Sequence, residues 1–233
     1  MDAGSFLTRW WNSLKPLPEE ANRRTPVTAQ KRRQRRLIQR TIGLAALAAA
    51  GWYVYSYIAS APERANAQLQ AGMLDMQPGA YREAMAHFDR AVSIMPQLAE
   101  AYLERGVAHH FLGETEPALA DLDKALELNP DLAAAHNELG AIYQGRGDIP
   151  RAIEELSKSI KAGATTDGYY QRGQAYESLG QHQKAIEDYD QAIAQMRESP
   201  FVYRARALAK DKLGDAEGAK QDRAKADSIE TAR

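Results

Sequence analysis

The sequence predicts an all-α protein: a solenoid of five helical hairpins preceded by a single transmembrane helix. Two observations carry this. After residue 64 the chain repeats itself with a period of 34, and from Thr41 to Ala61 it runs for 21 residues without a charge. Bulk composition, 44% hydrophobic and 26% charged over 233 residues, points only to an ordinary soluble domain. It hides an asymmetry. Residues 1–40 hold ten Lys or Arg against three Asp or Glu, net +7, and residues 41–233 hold twenty against twenty-eight, net −8. Such a split describes a basic arm that meets an anionic surface, joined to an acidic body in water. The absence of cysteine excludes disulfides, thiolate chemistry and a cysteine-linked lipid anchor.

The first element is the arm, residues 1–40. Phe6, Trp10 and Leu14 fall at i, i+4 and i+8, with Leu7 and Trp11 beside them. This is the apolar face of a short helix that lies in a headgroup layer or docks on a partner, and Pro16 and Pro18 end it. A loose tail is the alternative. Residues 17–36 are polar and charged and read as a disordered linker. The basic cluster 31–40 is expected to press on anionic lipid, at roughly 1 kcal/mol per charge. Its place against an apolar run argues for lipid over nucleic acid as the partner.

The second element, 41–61, reaches roughly 31 Å as a helix at about 1.5 Å per residue. That matches a hydrocarbon core of about 30 Å. Six basic residues precede it and only Arg64 closely follows, so the positive-inside bias leaves the N-terminus in the cytoplasm and sends the C-terminal body across. Trp52, Tyr53, Tyr55 and Tyr57 gather near the far end, where rings with one wet edge prefer the interface. The triplet Ala59, Ser60, Ala61 has the form of a signal-peptidase site. Against cleavage stand a 40-residue basic region, an apolar run longer than the 7–15 residues typical of a signal, and Pro62 just after the scissile bond. The run is therefore read as a retained anchor. Ala45 with Ala49, Ala46 with Ala50, and Gly43 with Leu47 and Gly51 would let a second transmembrane helix approach closely.

The third element is the array, 65–233, with units 65–98, 99–132, 133–165, 166–199 and 200–233. Glycine stands at the eighth place in four units, as Gly72, Gly106, Gly140 and Gly173, with Ala207 in the fifth. The fifteenth place is always glycine (Gly79, Gly113, Gly147, Gly180, Gly214) and the twentieth always alanine (Ala84, Ala118, Ala152, Ala185, Ala219). Phe88, Leu122, Leu156 and Tyr189 fill the twenty-fourth place, and Pro96 and Pro130 close the first two units. The first glycine lets two helices approach, the second ends helix A with φ > 0, the alanine packs into the contact, and proline stops the chain. Each unit is thus a hairpin, and Tyr102, Tyr169, Tyr203, Tyr143 and Tyr176 supply bulk that only a neighbouring unit can bury.

The stretch YLERGVAHHFLGETEPALADLDKALELNP resembles a tetratricopeptide repeat at nearly every signature place, and the resemblance recurs in register from residue 65 to the end. It implies a right-handed superhelix with a concave surface that binds peptides. Departures are expected to matter. Unit three is one residue short, with Ser159 in the usual alanine place and KAGATTD in place of the proline turn, so the seam between units three and four is expected to be loose. Arg223 takes the large apolar place of unit five, which makes that helix an end cap; Gln68 and Asp75 make helix A of unit one the other.

The resemblance also implies that the second, fifth, ninth and twelfth places of helix A face the groove. The residues expected to bind a peptide there are Leu69, Met73, Leu103, Val107, His110, Asn137, Gln144, Tyr170, Gln174 and Arg204. A carboxylate clamp for chaperone tails would need Lys and Asn where Leu69, Met73, Leu103 and Val107 stand, so an apolar-anchored segment suits the groove better. The alternative is that these four only complete packing. Unit two is acidic, net −6, and a basic partner would be steered to Glu100, Glu104, Glu114, Glu116 and Asp121.

Catalysis is not expected. His109 and His110 point about 100° apart on a helix, which opposes a shared metal, and no phosphate loop, nucleotide fingerprint or nucleophile elbow is present. No cofactor is expected. The reading that follows is a bacterial inner-membrane, single-pass protein, N-terminus cytoplasmic and repeats periplasmic, that serves as a binding scaffold for envelope proteins. The alternatives are a structural subunit of a larger membrane complex and an organelle import receptor with cytosolic repeats.

Overall fold

The computed structural model describes residues 26–163 and 166–231. The proposed amphipathic segment of Phe6, Trp10 and Leu14 lies outside them. Helix α1 spans Pro26–Ala59. The expected linker is corrected from Pro26 onward: proline fits the first helical position, and from Val27 to Ile42 no glycine or further proline interrupts a run rich in the helix formers Gln and Arg. At 34 residues it extends roughly 51 Å. From Leu37 onward its large apolar side chains are exposed, among them Leu44, Leu47 and Trp52 at 67, 71 and 71%. One stretch among the described residues, within Arg33–Leu74, is long and apolar enough to cross a membrane, by length and composition.

From Ala59 the chain forms a separate compact body, with ten helices among the described residues. The A helices are α2 (Ala61–Leu74), α4 (Ala99–Phe111), α6 (Ala133–Gly145), α8 (Thr166–Ser178) and α10 (Pro200–Lys212). The B helices are α3 (Tyr81–Ile94), α5 (Thr115–Leu128), α7 (Ile149–Lys161), α9 (His182–Gln195) and α11 (Ala216–Thr231). Each A helix packs on the B helix of its unit, each B helix on the next A helix, and successive A helices touch one another to make a continuous inner wall.

The period-34 glycines do what their spacing requires. Phe88, Leu122, Leu156 and Tyr189 are fully buried or nearly so, and each fills the space left by the glycine sixteen residues earlier. A Cβ on Gly140 would stand 2.5 Å from Leu156 Cγ, and one on Gly173 2.5 Å from Tyr189 Cε1. In unit five, Ala207 is paired with the exposed Arg223, whose Nη1 donates to Asp211 Oδ2 at 2.6 Å, as suits an end cap. At the hairpin turns Gly113 has φ +76° and Gly180 φ +68°, a region costly for any residue with a Cβ.

A second periodic device locks the units. In units two, four and five, Tyr at the fourth place, Arg at the seventh and Asp at the twenty-third form one cassette. Arg105 meets Asp121 through Nε (2.8 Å) and Nη2 (2.7 Å); Arg172 meets Asp188 at 2.8 and 2.7 Å; Arg206 meets Asp222 at 2.9 and 2.5 Å. Each guanidinium lies over its tyrosine, at 5.5 Å for Tyr102, 5.7 Å for Tyr169 and 5.5 Å for Tyr203. The third nitrogen reaches back to the preceding unit, to Asp89 (2.7 Å), Ser157 (3.0 Å) and Asp190 (2.5 Å) respectively. Bidentate geometry makes these strong hydrogen bonds.

Units one and three lack the cassette. There, places four and twenty-three are linked by a histidine instead: His87 with Gln68 at 2.9 Å, His136 with Glu155 at 2.7 Å. Leu139 stands where unit three would need its arginine, so Asp123 faces Glu155 without a guanidinium between them, and burial together with Glu155 holds the Asp123 carboxyl above its ordinary range. The least contact between consecutive units falls at this seam, α5 against α6. The looseness expected at units three and four is not there. Ser159 is fully buried and donates to the Ala133 carbonyl at 2.8 Å, and Arg172 ties α8 to Ser157 of α7.

Candidate functional site

The inner wall opens into a trough over α6, α8 and α10. Two adjoining cavities of about 570 and 580 Å³ share Gln144, Tyr170, Gln174 and Phe201; Ala141 and Asp167 line the first, Glu177, Arg204 and Leu208 the second. The 3.6-residue turn explains the grouping, since places two, five, nine and twelve of consecutive A helices come to one side.

Tyr170 is the centre of the trough. Its ring meets Phe201 edge to face at 5.2 Å and Tyr189 at 6.0 Å. Gln174 Nε2 donates to its hydroxyl at 3.0 Å. Burial pushes the Tyr170 hydroxyl above its ordinary pKa, and the bond from Gln174 only partly offsets this. The phenol stays protonated at neutral pH and keeps an O–H that can donate. Phe201 is 48% and Leu208 60% exposed, an apolar seat beside polar amides. Binding sites commonly combine an apolar lining with a few placed polar groups.

Of the ten residues expected to bind a peptide, Gln144, Tyr170, Gln174 and Arg204 line this trough. Leu69 and Leu103 do not line this trough: each is only 6% exposed and lies in a core cluster, whereas Tyr170 packs on its core only in part. Val107 is half-buried against the same core, whereas Met73 is exposed and accepts from Gln70. His110 lies 3.4 Å from Glu138 of the next A helix. Asn137 has a buried Oδ1 without a hydrogen-bond partner, as does Gln171 at its Oε1 on the trough floor.

The acidic surface expected to steer a partner is largely engaged within the fold. Asp121 is held by Arg105, Glu114 by His109 at 2.7 Å, and Glu116 by Arg146 at 3.1 Å. Glu100 and Glu104 remain. The arginine cassette was missed by reasoning from apolar periodicity alone. Its signal was present, an Arg and an Asp sixteen residues apart in three units.

Residues 99–132 and 166–196 match one family model for the tetratricopeptide repeat, and residues 122–154 match a second. No curated protein matches the chain in sequence. Among solved structures, that of MamA is 26% identical with a TM-score of 0.61, covering 69% of this chain and 95% of MamA. PilF of Pseudomonas aeruginosa is 19% identical with a TM-score of 0.68, covering 73% of this chain and 78% of PilF. PilW, a widely conserved type IV pilus biogenesis factor, is 22% identical with a TM-score of 0.63, covering 70% and 78%. PilF and PilW therefore share the fold. In its matched repeats and in its shape alike, the body of this chain is a tetratricopeptide-repeat α-solenoid.

Proposed function

We propose that the protein is a membrane-anchored scaffold that holds a segment of a partner protein in the trough of α6, α8 and α10 and serves the assembly of envelope proteins. The observation that carries this is the aromatic pair of half-buried Tyr170 and exposed Phe201, set among Gln144 and Gln174 on a wall of stacked A helices. The exposed apolar side chains of α1 support the anchor, with 41–61 in the bilayer and the cluster 31–40 at the anionic surface. The reading places the N-terminus in the cytoplasm and the repeats in the periplasm. Similarity of fold to a pilus biogenesis factor supports the envelope setting. The site binds and does not catalyse.

A photo-crosslinking amino acid at position 170, in native membranes, tests this. It should capture a discrete partner, and Phe201→Asp should abolish capture without dissociating the protein from any larger complex. Capture unaffected by Phe201→Asp would refute the groove. Retained crosslinks with a lost complex would favour the structural-subunit reading. Protease added to intact cells and to spheroplasts should cut the repeats only in the latter.

A further inference from the structure

We infer that the trough selects a cationic segment: an extended stretch of a partner protein that seats an apolar side chain against Tyr170 and Phe201 and brings a Lys or Arg to the carboxylates of the same wall. This rests on the groove reading above.

The apolar seat follows from the exposed faces of Phe201 and Leu208 beside Tyr170. The sign of the charge follows from which wall residues are already engaged. Among the second, fifth, ninth and twelfth places of all five A helices there is one Lys or Arg, Arg204. It is closed from α11: Nη1 and Nη2 donate to Glu230 at 2.7 Å each, and Nη2 to Asp227 at 3.2 Å. Two of the wall's four carboxylates are also closed, Glu177 by His182 at 2.8 Å and Asp211 by Arg223 at 2.6 Å. The other two, Asp167 on the rim of the trough and Glu100 farther along, are exposed and make no ion pair among the described residues. Glu104 points the same way. Burial, and after it the like charge of the neighbouring Glu138, holds its carboxyl above the ordinary range.

An acidic segment would therefore meet like charge with no free base to receive it. A neutral segment would leave the wall's carboxylates unmatched. An ammonium or guanidinium carries only donors and suits carboxylate and orphaned amide oxygens together. Opposite-charge matching of this kind sets partner choice and on-rate more than total affinity.

The full-length chain in phosphatidylcholine nanodiscs would be titrated into a fluorescein-labelled nonapeptide that alternates leucine with lysine. Glutamate and serine counterparts and empty discs complete the set. By anisotropy the lysine peptide should bind at least about tenfold tighter than the glutamate peptide, with the gap narrowing as salt rises. Glu100→Gln with Asp167→Asn, both exposed and checked by circular dichroism, should cut that preference to within about threefold. Phe201→Ala should weaken binding of every peptide. Equal or tighter binding of the glutamate or serine peptide, or a preference that survives the double variant, overturns the inference. If the crosslinker at 170 captures a partner while the lysine peptide fails to bind, charge selection falls and the groove stands; if capture fails as well, both fall.

Discussion

Arg172 grips Asp188 through two parallel hydrogen bonds, 2.8 Å from Nε and 2.7 Å from Nη2, and its third nitrogen crosses to Ser157 of the unit before. The carboxylate side chain is only 7% exposed, so water cannot replace the guanidinium. Asp188→Asn should lower stability by about 2–3 kcal/mol, because it strands a half-buried cation. Replacing both partners with apolar residues, Arg172→Met with Asp188→Leu, should recover more than half of that loss. Urea unfolding reads both, and a single variant costing under about 0.5 kcal/mol would show the pair to be no better than a surface bridge.

The glycines at the eighth place differ in how tightly they are filled. A Cβ on Gly140 would stand 2.5 Å from Leu156, whereas one on Gly106 would stand 3.1 Å from Leu122. Gly140→Ala should cost about 1–3 kcal/mol through overpacking, while Gly106→Ala should be milder, since the gain in helix propensity of about 1 kcal/mol offsets a smaller clash. Leu156→Val should relieve part of the first penalty and none of the second. Thermal midpoints of Gly140→Ala and Gly106→Ala, each with and without Leu156→Val, decide the order.

Asp222 predicts acid sensitivity in unit five. Burial raises its carboxyl pKa, but bonds from Arg206 and Lys210 outweigh burial and leave it below the ordinary value. A depressed folded pKa means that the stabilisation is full above the unfolded value of about 3.9 and fades as pH falls through the folded one. Asp222→Asn should therefore destabilise the protein clearly at pH 7 and little at pH 2–3, measured by urea titration at each pH.

Glu104 predicts the opposite slope. Its folded pKa is raised by burial and by Glu138, so stability is complete below the unfolded value of about 4.3 and declines as pH rises through the folded value. Glu104→Gln should stabilise the chain at pH 7 by roughly 0.5 kcal/mol and be neutral below about pH 4. An equal effect at both pH values would remove the electrostatic explanation.

Much of this architecture was legible in the sequence because each period-34 residue has one steric role: Gly72 admits Phe88, and Gly113 takes the left-handed turn. Side-chain direction was less legible. Leu69 and Tyr170 hold the same fifth place, yet the first is buried and the second lines the trough, a difference set by packing against other helices that position in the repeat does not reveal. Charged residues were hardest. Glu114, Glu116 and Asp121 look available when counted along the chain, and each is taken by a base between 5 and 30 residues away.

Leu139 in place of an arginine has a mechanical consequence. The cassette arginines lace units one to two, three to four and four to five, while the α5–α6 seam has only the exposed Arg146–Glu116 pair and the least contact, so it is the most compliant point of the solenoid. Tension applied to its two ends would part it there first.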